Sequence, residues 1–166
     1  MSNAKHAVRS AAGSERRIEQ YAELCIYGPY TGDDVDSVWL TDLLGATPTR
    51  TRQRGDPLGP DRTYPASAWC WITAKSSTAD SETVIIDLLD TFEPVRQALL
   101  RASAERDLSV QINLVISMYG EVVVGGDGQS WIDIPTPALG LSVETLRRLA
   151  SFDCGLDVDQ YIIPPD

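Results

Sequence analysis

One histidine, His6, stands in the 166 residues, and it lies in a short polar N-terminal stretch. Ser–His–Asp and Cys–His mechanisms need a neutral base poised near pH 7 beside the nucleophile, and the body of the chain has none. Three cysteines, Cys25, Cys70 and Cys154, are too few and too dispersed to build a His/Cys zinc site. Their odd number, with Cys25 and Cys70 inside apolar runs, predicts buried free thiols in a reducing compartment. No Walker loop and no dinucleotide glycine fingerprint occurs, and Gly125-Gly126-Asp127-Gly128 lacks the strand–loop–helix setting of a phosphate cradle, so it reads as a turn. No apolar run approaches the ~18 residues of a membrane span. The first residues have no apolar core of a secretory signal, and cytoplasm is the expected location.

Positive charge is also scarce. The 14 Lys and Arg face 24 Asp and Glu, a net charge of −10. Residues 1–20 and 45–65 each carry +2, so the rest carries −14. Nucleic acid and anionic membranes need several cationic contacts, so neither is an expected partner. An acidic body does attract a basic protein, although the same charge also serves solubility alone.

A 43% hydrophobic fraction supports one ordinary core at this length. Residues 1–20 read as a flexible tail, 21–163 as a single domain and 164–166 as its end. Strict alternation predicts strands at Ala22–Tyr27, Ser67–Thr73 and Ser109–Tyr119. In the last, Val110, Ile112, Leu114, Ile116 and Met118 share one face. Shorter strands are expected at Glu121–Val124, Ser130–Ile134 and Leu156–Ile162. Helices are expected after Asp33 or Asp34, with Val35, Val38, Trp39 and Leu43 inward; after Ser81, with Val84, Ile85, Leu88, Leu89 and Phe92 inward; and after Ser142, with Leu146, Leu149 and Ala150 inward and Gly155 at the end. Pro94 kinks the second helix or begins another. The order implies an α+β fold of two layers: one mixed or antiparallel sheet, with about three to four helices mainly on one face.

Residues 40–56, LTDLLGATPTRTRQRGD, are the most distinctive stretch. A helix pattern ends at Gly45, Pro48 prevents continuation, and Arg50, Arg52 and Arg54 alternate before Gly55-Asp56. Extended, these arginines share one side, where guanidinium groups can grip a carboxylate or phosphate. Arg62 lies close by in sequence. Trp69 and Trp71 share a strand face, and with the arginines they have the composition of a binding hot spot. Core packing is the commoner fate of such tryptophans, and pairing with the acidic body the commoner fate of such arginines. The binding candidates are therefore Arg50, Arg52, Arg54, Asp56, Arg62, Trp69 and Trp71. No catalytic residue, metal ligand or cofactor is expected. Asp33, Asp34 and Asp36, and Asp153, Asp157 and Asp159, are acidic clusters without the EF-hand pattern, explained by capping and a solvated edge.

The Leu-Gly-x-x-Pro-Thr run at Leu44–Thr49, the Gly55-Asp56 pair, the strand tryptophan (Trp69 or Trp71), DLLDTFEPVRQALL and LSVETLRRLASFDCGLDVDQY resemble an uncharacterised bacterial family, domain of unknown function family 4279. The resemblance spans roughly Leu24 to Tyr161, with Val122–Pro137 longer than the family leads one to expect. It implies a small bacterial domain and carries no activity or binding residues with it. The leading expectation is a non-catalytic protein-binding module, immunity-like in one form, that holds a basic partner. The alternatives are a sensor or enzyme for a small anionic ligand that uses Arg and carboxylate groups, and an oligomerisation module working through free sheet edges.

Overall fold

The computed structural model describes residues 9, 10, 16–31 and 33–165. The strands are β1 (Arg9–Ser10), β2 (Arg17–Tyr27), β3 (Arg50–Arg52), β4 (Pro57–Gly59), β5 (Arg62–Thr63), β6 (Ala68–Ile72), β7 (Ser109–Tyr119), β8 (Glu121–Val124), β9 (Ser130–Asp133) and β10 (Gly155–Ile163). The helices are α1 (Ser37–Leu44), α2 (Ser81–Phe92), α3 (Arg96–Arg106) and α4 (Val143–Ser151), with a 3-10 turn at Glu93–Val95 between α2 and α3. The fold is α+β. Its main sheet has five strands in the order β10-β7-β2-β6-β3, and it is mixed, because β10 runs parallel to β7 while the other pairs are antiparallel. A three-stranded sheet, β1-β8-β9, and the β4-β5 hairpin accompany it.

Alternation decides which side of the sheet is core. Ala22, Leu24 and Ile26 of β2, Trp69 of β6, and Ile112, Leu114 and Ile116 of β7 are all essentially inaccessible. They form one cluster with Leu40 and Leu44 of α1, Val84, Ile85, Leu88, Leu89 and Phe92 of α2, Leu99 of α3 and Leu149 of α4. A buried leucine or isoleucine contributes roughly 1.5–3 kcal/mol relative to exposure, so this cluster dominates the fold's stability. Inside the core, Gln20 is fully buried and paired at both ends of its amide: its Nε2 donates to the Thr78 carbonyl at 2.6 Å and its Oε1 accepts from Ser81 Oγ at 2.7 Å.

Several expectations change here. The tail does not extend to residue 20, because Arg17–Gln20 are in register with β7 from Tyr119 to Ile116. Asp36, not Asp33 or Asp34, caps α1, accepting from the Val38 and Trp39 amides. Leu40 and Leu44 are the buried residues of α1, with Val35 buried ahead of it and Trp39 and Leu43 packed at the core margin, while Val38 is 71% exposed. Asp80 caps α2, and Ser81 turns inward to Gln20 instead. Ser142 does cap α4, but Thr145, Leu149 and the following Phe152 are its buried residues, and Leu146 is half exposed. Gly155 opens β10, and the left-handed turn after α4 is made by Asp153, φ 49°. Pro94 sits in the first turn of the 3-10 segment, where its missing N–H costs nothing.

Candidate functional site

The sheet face turned away from the helices gathers the polar candidates. Cross-strand register puts Arg50 opposite Cys70 and Arg52 opposite Ala68 on β3 and β6, and Cys70 opposite Cys25 on β2. Arg50 and Arg52 therefore point the same way, as alternation in an extended segment requires. Arg54 does not join them. The turn at Gln53–Asp56, with Gly55 at φ 86°, carries it off the strand to donate to the Pro29 carbonyl at 2.8 Å. Arg54 Nε lies 3.4 Å from Asp34 Oδ1, close enough to attract but not aligned as a hydrogen bond.

Arg50 is held by a residue the sequence reading passed over. Its Nη2 donates to both oxygens of Glu23, at 3.0 and 2.9 Å, and Glu23 is only 5% exposed. A buried charge is costly unless it is paired and hydrogen-bonded, and Arg50 supplies both. The sign of Glu23 was a single charge inside an alternating apolar strand. Beside it, Tyr21 has its phenol pushed above its ordinary value of 10.0, first by burial and then by the Glu23 negative charge. Arg52 stacks on the Tyr64 ring at 4.5 Å. Asp56 is a turn residue, its carboxylate accepting from the Gln53 amide at 2.7 Å. Arg62 is exposed on β5, with no ion-pair or ring partner among the described residues.

Trp69 and Trp71 lie on the opposite face. Trp69 is fully buried under the helices, its indole donating to Thr41 Oγ1 at 3.3 Å, and both rings meet Phe92 edge-on at 6.5 and 5.3 Å. The sheet thus separates the seven candidates: the tryptophans belong to the core, and Arg50 and Arg52 to the open face.

Cys25 and Cys70 are bonded as a disulfide, which corrects the expectation of free thiols. They face each other across antiparallel strands with Cα atoms 4.2 Å apart, a spacing typical of the closer type of cross-strand pair. Cys154 remains a thiol, pushed up to about 11 by burial.

The remaining open face is acidic and hydroxylated. Glu19 accepts from Lys75 Nζ at 3.1 Å and from Tyr119 Oη at 3.3 Å, and the Lys75 hydrogen bond holds its carboxyl below the ordinary value. Register with β7 sets Asp157, Asp159 and Tyr161 on this face, opposite Asn113, Val115 and Ser117. Asp157 and Asp159 are exposed and have no cationic partner among the described residues.

Two cavities flank the Pro29 loop. One, of about 480 Å³, is lined by Asp33, Asp34, Asp36 and Glu105, and by Trp39, over which Arg106 stacks at 3.6 Å. The other, of about 140 Å³, lies among Tyr27, Tyr30, Tyr64 and Gln111. No group of three or more His, Cys, Asp or Glu among the described residues is placed to hold a metal ion, and none of their helices is long and apolar enough to cross a membrane.

These features define a small α+β domain with one helix-covered and one polar sheet face. The chain belongs to the family described as Domain of unknown function (DUF4279), which matches residues 19–163. No curated protein and no solved structure matches it.

Proposed function

We propose that this domain is a non-catalytic module that binds a basic protein through its acidic surface, as an immunity-type inhibitor would. The observation that carries this reading is how the charges are spent. Arg16, Arg17, Arg50, Arg54, Lys75, Arg96, Arg147 and Arg148 all pair with the chain's own carboxylates. Arg52 and Arg106 lie on aromatic rings. The surplus acids, Asp157 and Asp159 among them, are left facing water. Such a surface accelerates encounter with a cationic partner and rejects anionic ones.

The small-anion reading built on Arg50, Arg52 and Arg54 draws little support from this geometry. Glu23 and Asp34 already offset the charge of Arg50 and Arg54, and Arg54 turns away to the Pro29 carbonyl, so the three guanidinium groups do not converge on one anion. A cytoplasmic location requires the Cys25–Cys70 pair to be a dithiol in the cell, since such bonds are rare in reducing compartments; labelling thiols in intact cells decides this.

The test is capture of partners from native lysate by the tagged chain at low and high salt. One stoichiometric basic protein, lost as salt rises, is the expected result. A salt-insensitive partner, or none, overturns the electrostatic reading.

A further inference from the structure

We propose that the outer edge of β10 is the docking line for that partner, and that its occupant is an extended segment in which apolar and basic residues alternate. The proposal rests on the basic-partner reading above and adds the place and the pattern.

β10 is the last strand of the main sheet and pairs only with β7 among the described residues, so its other edge is unpaired. It is nine residues long, and all but Val158 are exposed. A long exposed edge presents a row of backbone donors and acceptors ready for another strand. The Val158 amide is served by the carboxylate of Asp157 at 2.9 Å, a local substitute for a neighbouring strand.

The two sides of this edge differ in chemistry. Leu156, Val158, Gln160 and Ile162 stand opposite Ile112, Leu114, Ile116 and Met118, so they continue the core side of the sheet. The helices do not roof them completely: Leu156 is 38% and Ile162 59% exposed. Asp157, Asp159 and Tyr161 take the open side. An added strand presents successive side chains to opposite sides. On one side it meets Leu156, Val158 and Ile162, with Gln160 among them, and on the other the two carboxylates. Apolar residues on the first set and Lys or Arg on the second satisfy both sides, because opposite charges across a strand pair attract.

A second copy of the chain is a poor occupant. Antiparallel pairing of β10 with itself centred on Val158, the register that aligns the two apolar rows around Leu156 and Val158, sets Asp157 against Asp159 of the other copy, and like charges directly opposite are destabilising.

The probe is an acetylated nine-residue peptide of alternating valine and lysine, compared with an isomer that has its lysines in one block. Binding to the full chain is followed by fluorescence anisotropy, and β10 amides by hydrogen exchange. We expect the alternating peptide to bind roughly tenfold tighter and to protect β10 amides. Methylating one alternate set of peptide amides should cost roughly tenfold, and methylating the other set should cost little, because only one set faces the sheet. Asp157→Asn with Asp159→Asn should weaken binding roughly tenfold while the fold is retained. Equal binding of the two isomers, or equal effects of the two methylation patterns, overturns the edge assignment. So does sedimentation showing a dimer whose β10 amides are already protected without peptide. If the peptide shows no discrimination but the lysate still yields a salt-sensitive basic partner, the edge proposal alone falls. If the lysate yields nothing at either salt, the basic-partner reading falls with it.

Discussion

At one end of the five-stranded sheet lies β3, three residues long, with the β4–β5 hairpin following it in the chain; at the other lies β10, nine residues long and exposed. β3 carries arginines, and each is anchored within the molecule, Arg50 on Glu23 and Arg52 on Tyr64. β10 carries aspartates that no cation of the described chain neutralises. A short edge with tethered charges is how a sheet avoids unwanted pairing, and a long edge with apolar residues is how it invites pairing. The comparison separates residues that hold the fold from residues the fold leaves without an internal partner, although both sets look like charged, alternating strand sequence. Substitutions on the β3 side should therefore cost stability, and those on the β10 side should cost binding.

The largest loss is expected from removing the Cys25–Cys70 bond, one strand in from β3. It spans 45 residues, for which loop entropy sets a contribution of about 4 kcal/mol. The Cys25→Ala/Cys70→Ala variant should lower the urea unfolding free energy by about 2–4 kcal/mol. Wild type should lose a similar amount under reductant, and an unchanged midpoint would mean the bond does not form in solution. In the native oxidised chain only Cys154 is a thiol, and burial pushes it up to about 11, so it should react slowly with thiol reagents near pH 8. Next comes Arg50→Ala, which strands a buried carboxylate. Breaking a fully buried pair costs about 3–5 kcal/mol. The Arg50 side chain is 39% exposed, so solvent screening reduces the expected loss to about 2 kcal/mol. Pairing Arg50→Met with Glu23→Leu should recover much of it in the same denaturation assay. No recovery would indicate that Arg50 acts through its packing and not through the ion pair.

The reasons these partnerships escaped the sequence are physical. Alternation assigns faces within a strand, and for β7 it separates the buried row Val110–Met118 from the partly exposed one. It carries no information about which strands pair. The arginine alternation at 50–54 was visible, yet Glu23, the partner of Arg50, lies 27 residues earlier and meets it only because β6 stands between their strands. The cysteine pair was hidden for the same reason. Of the stripe expected at α1, Val35 is buried and Trp39 and Leu43 pack against the core, while Val38 faces water; Leu40 and Leu44, which the stripe omitted, are buried most deeply. Asp80 and Ser81 are both good caps, and the buried amide of Gln20 took the serine. The aspartates of β10 were legible as a cluster, but their edge position follows from strand order, which local pattern does not encode.

On the β10 side the stability effect should nearly vanish. Asp157→Asn with Asp159→Asn should change the unfolding free energy by no more than about 0.5 kcal/mol, because both residues are exposed without a cationic partner and an amide oxygen at 157 can still accept from the Val158 amide. A loss above about 1 kcal/mol would move these carboxylates into the group that holds the fold.

The smallest effect belongs to the cluster on central β2, between the two edges, where Glu19 meets Lys75. The Lys75 hydrogen bond, ahead of the opposing effect of burial, holds the Glu19 carboxyl below its ordinary 4.5. A carboxyl depressed in the folded state is stabilising above its unfolded value, and that contribution fades as pH falls below 4.5 through the folded value. Lys75 is raised above its ordinary 10.5 by the same bond, so its share is present below 10.5 and is lost as pH rises through the higher folded value. Between these limits the pair is pH-independent, and because Lys75 is exposed and Glu19 only partly covered the effect on stability is small. The sensitive readout is the titration itself. In Lys75→Met, the Glu19 carboxyl carbon followed by NMR should titrate at higher pH than in wild type. An unmoved midpoint would assign the depression to Arg17 and the Tyr119 hydroxyl, the other groups around that carboxylate.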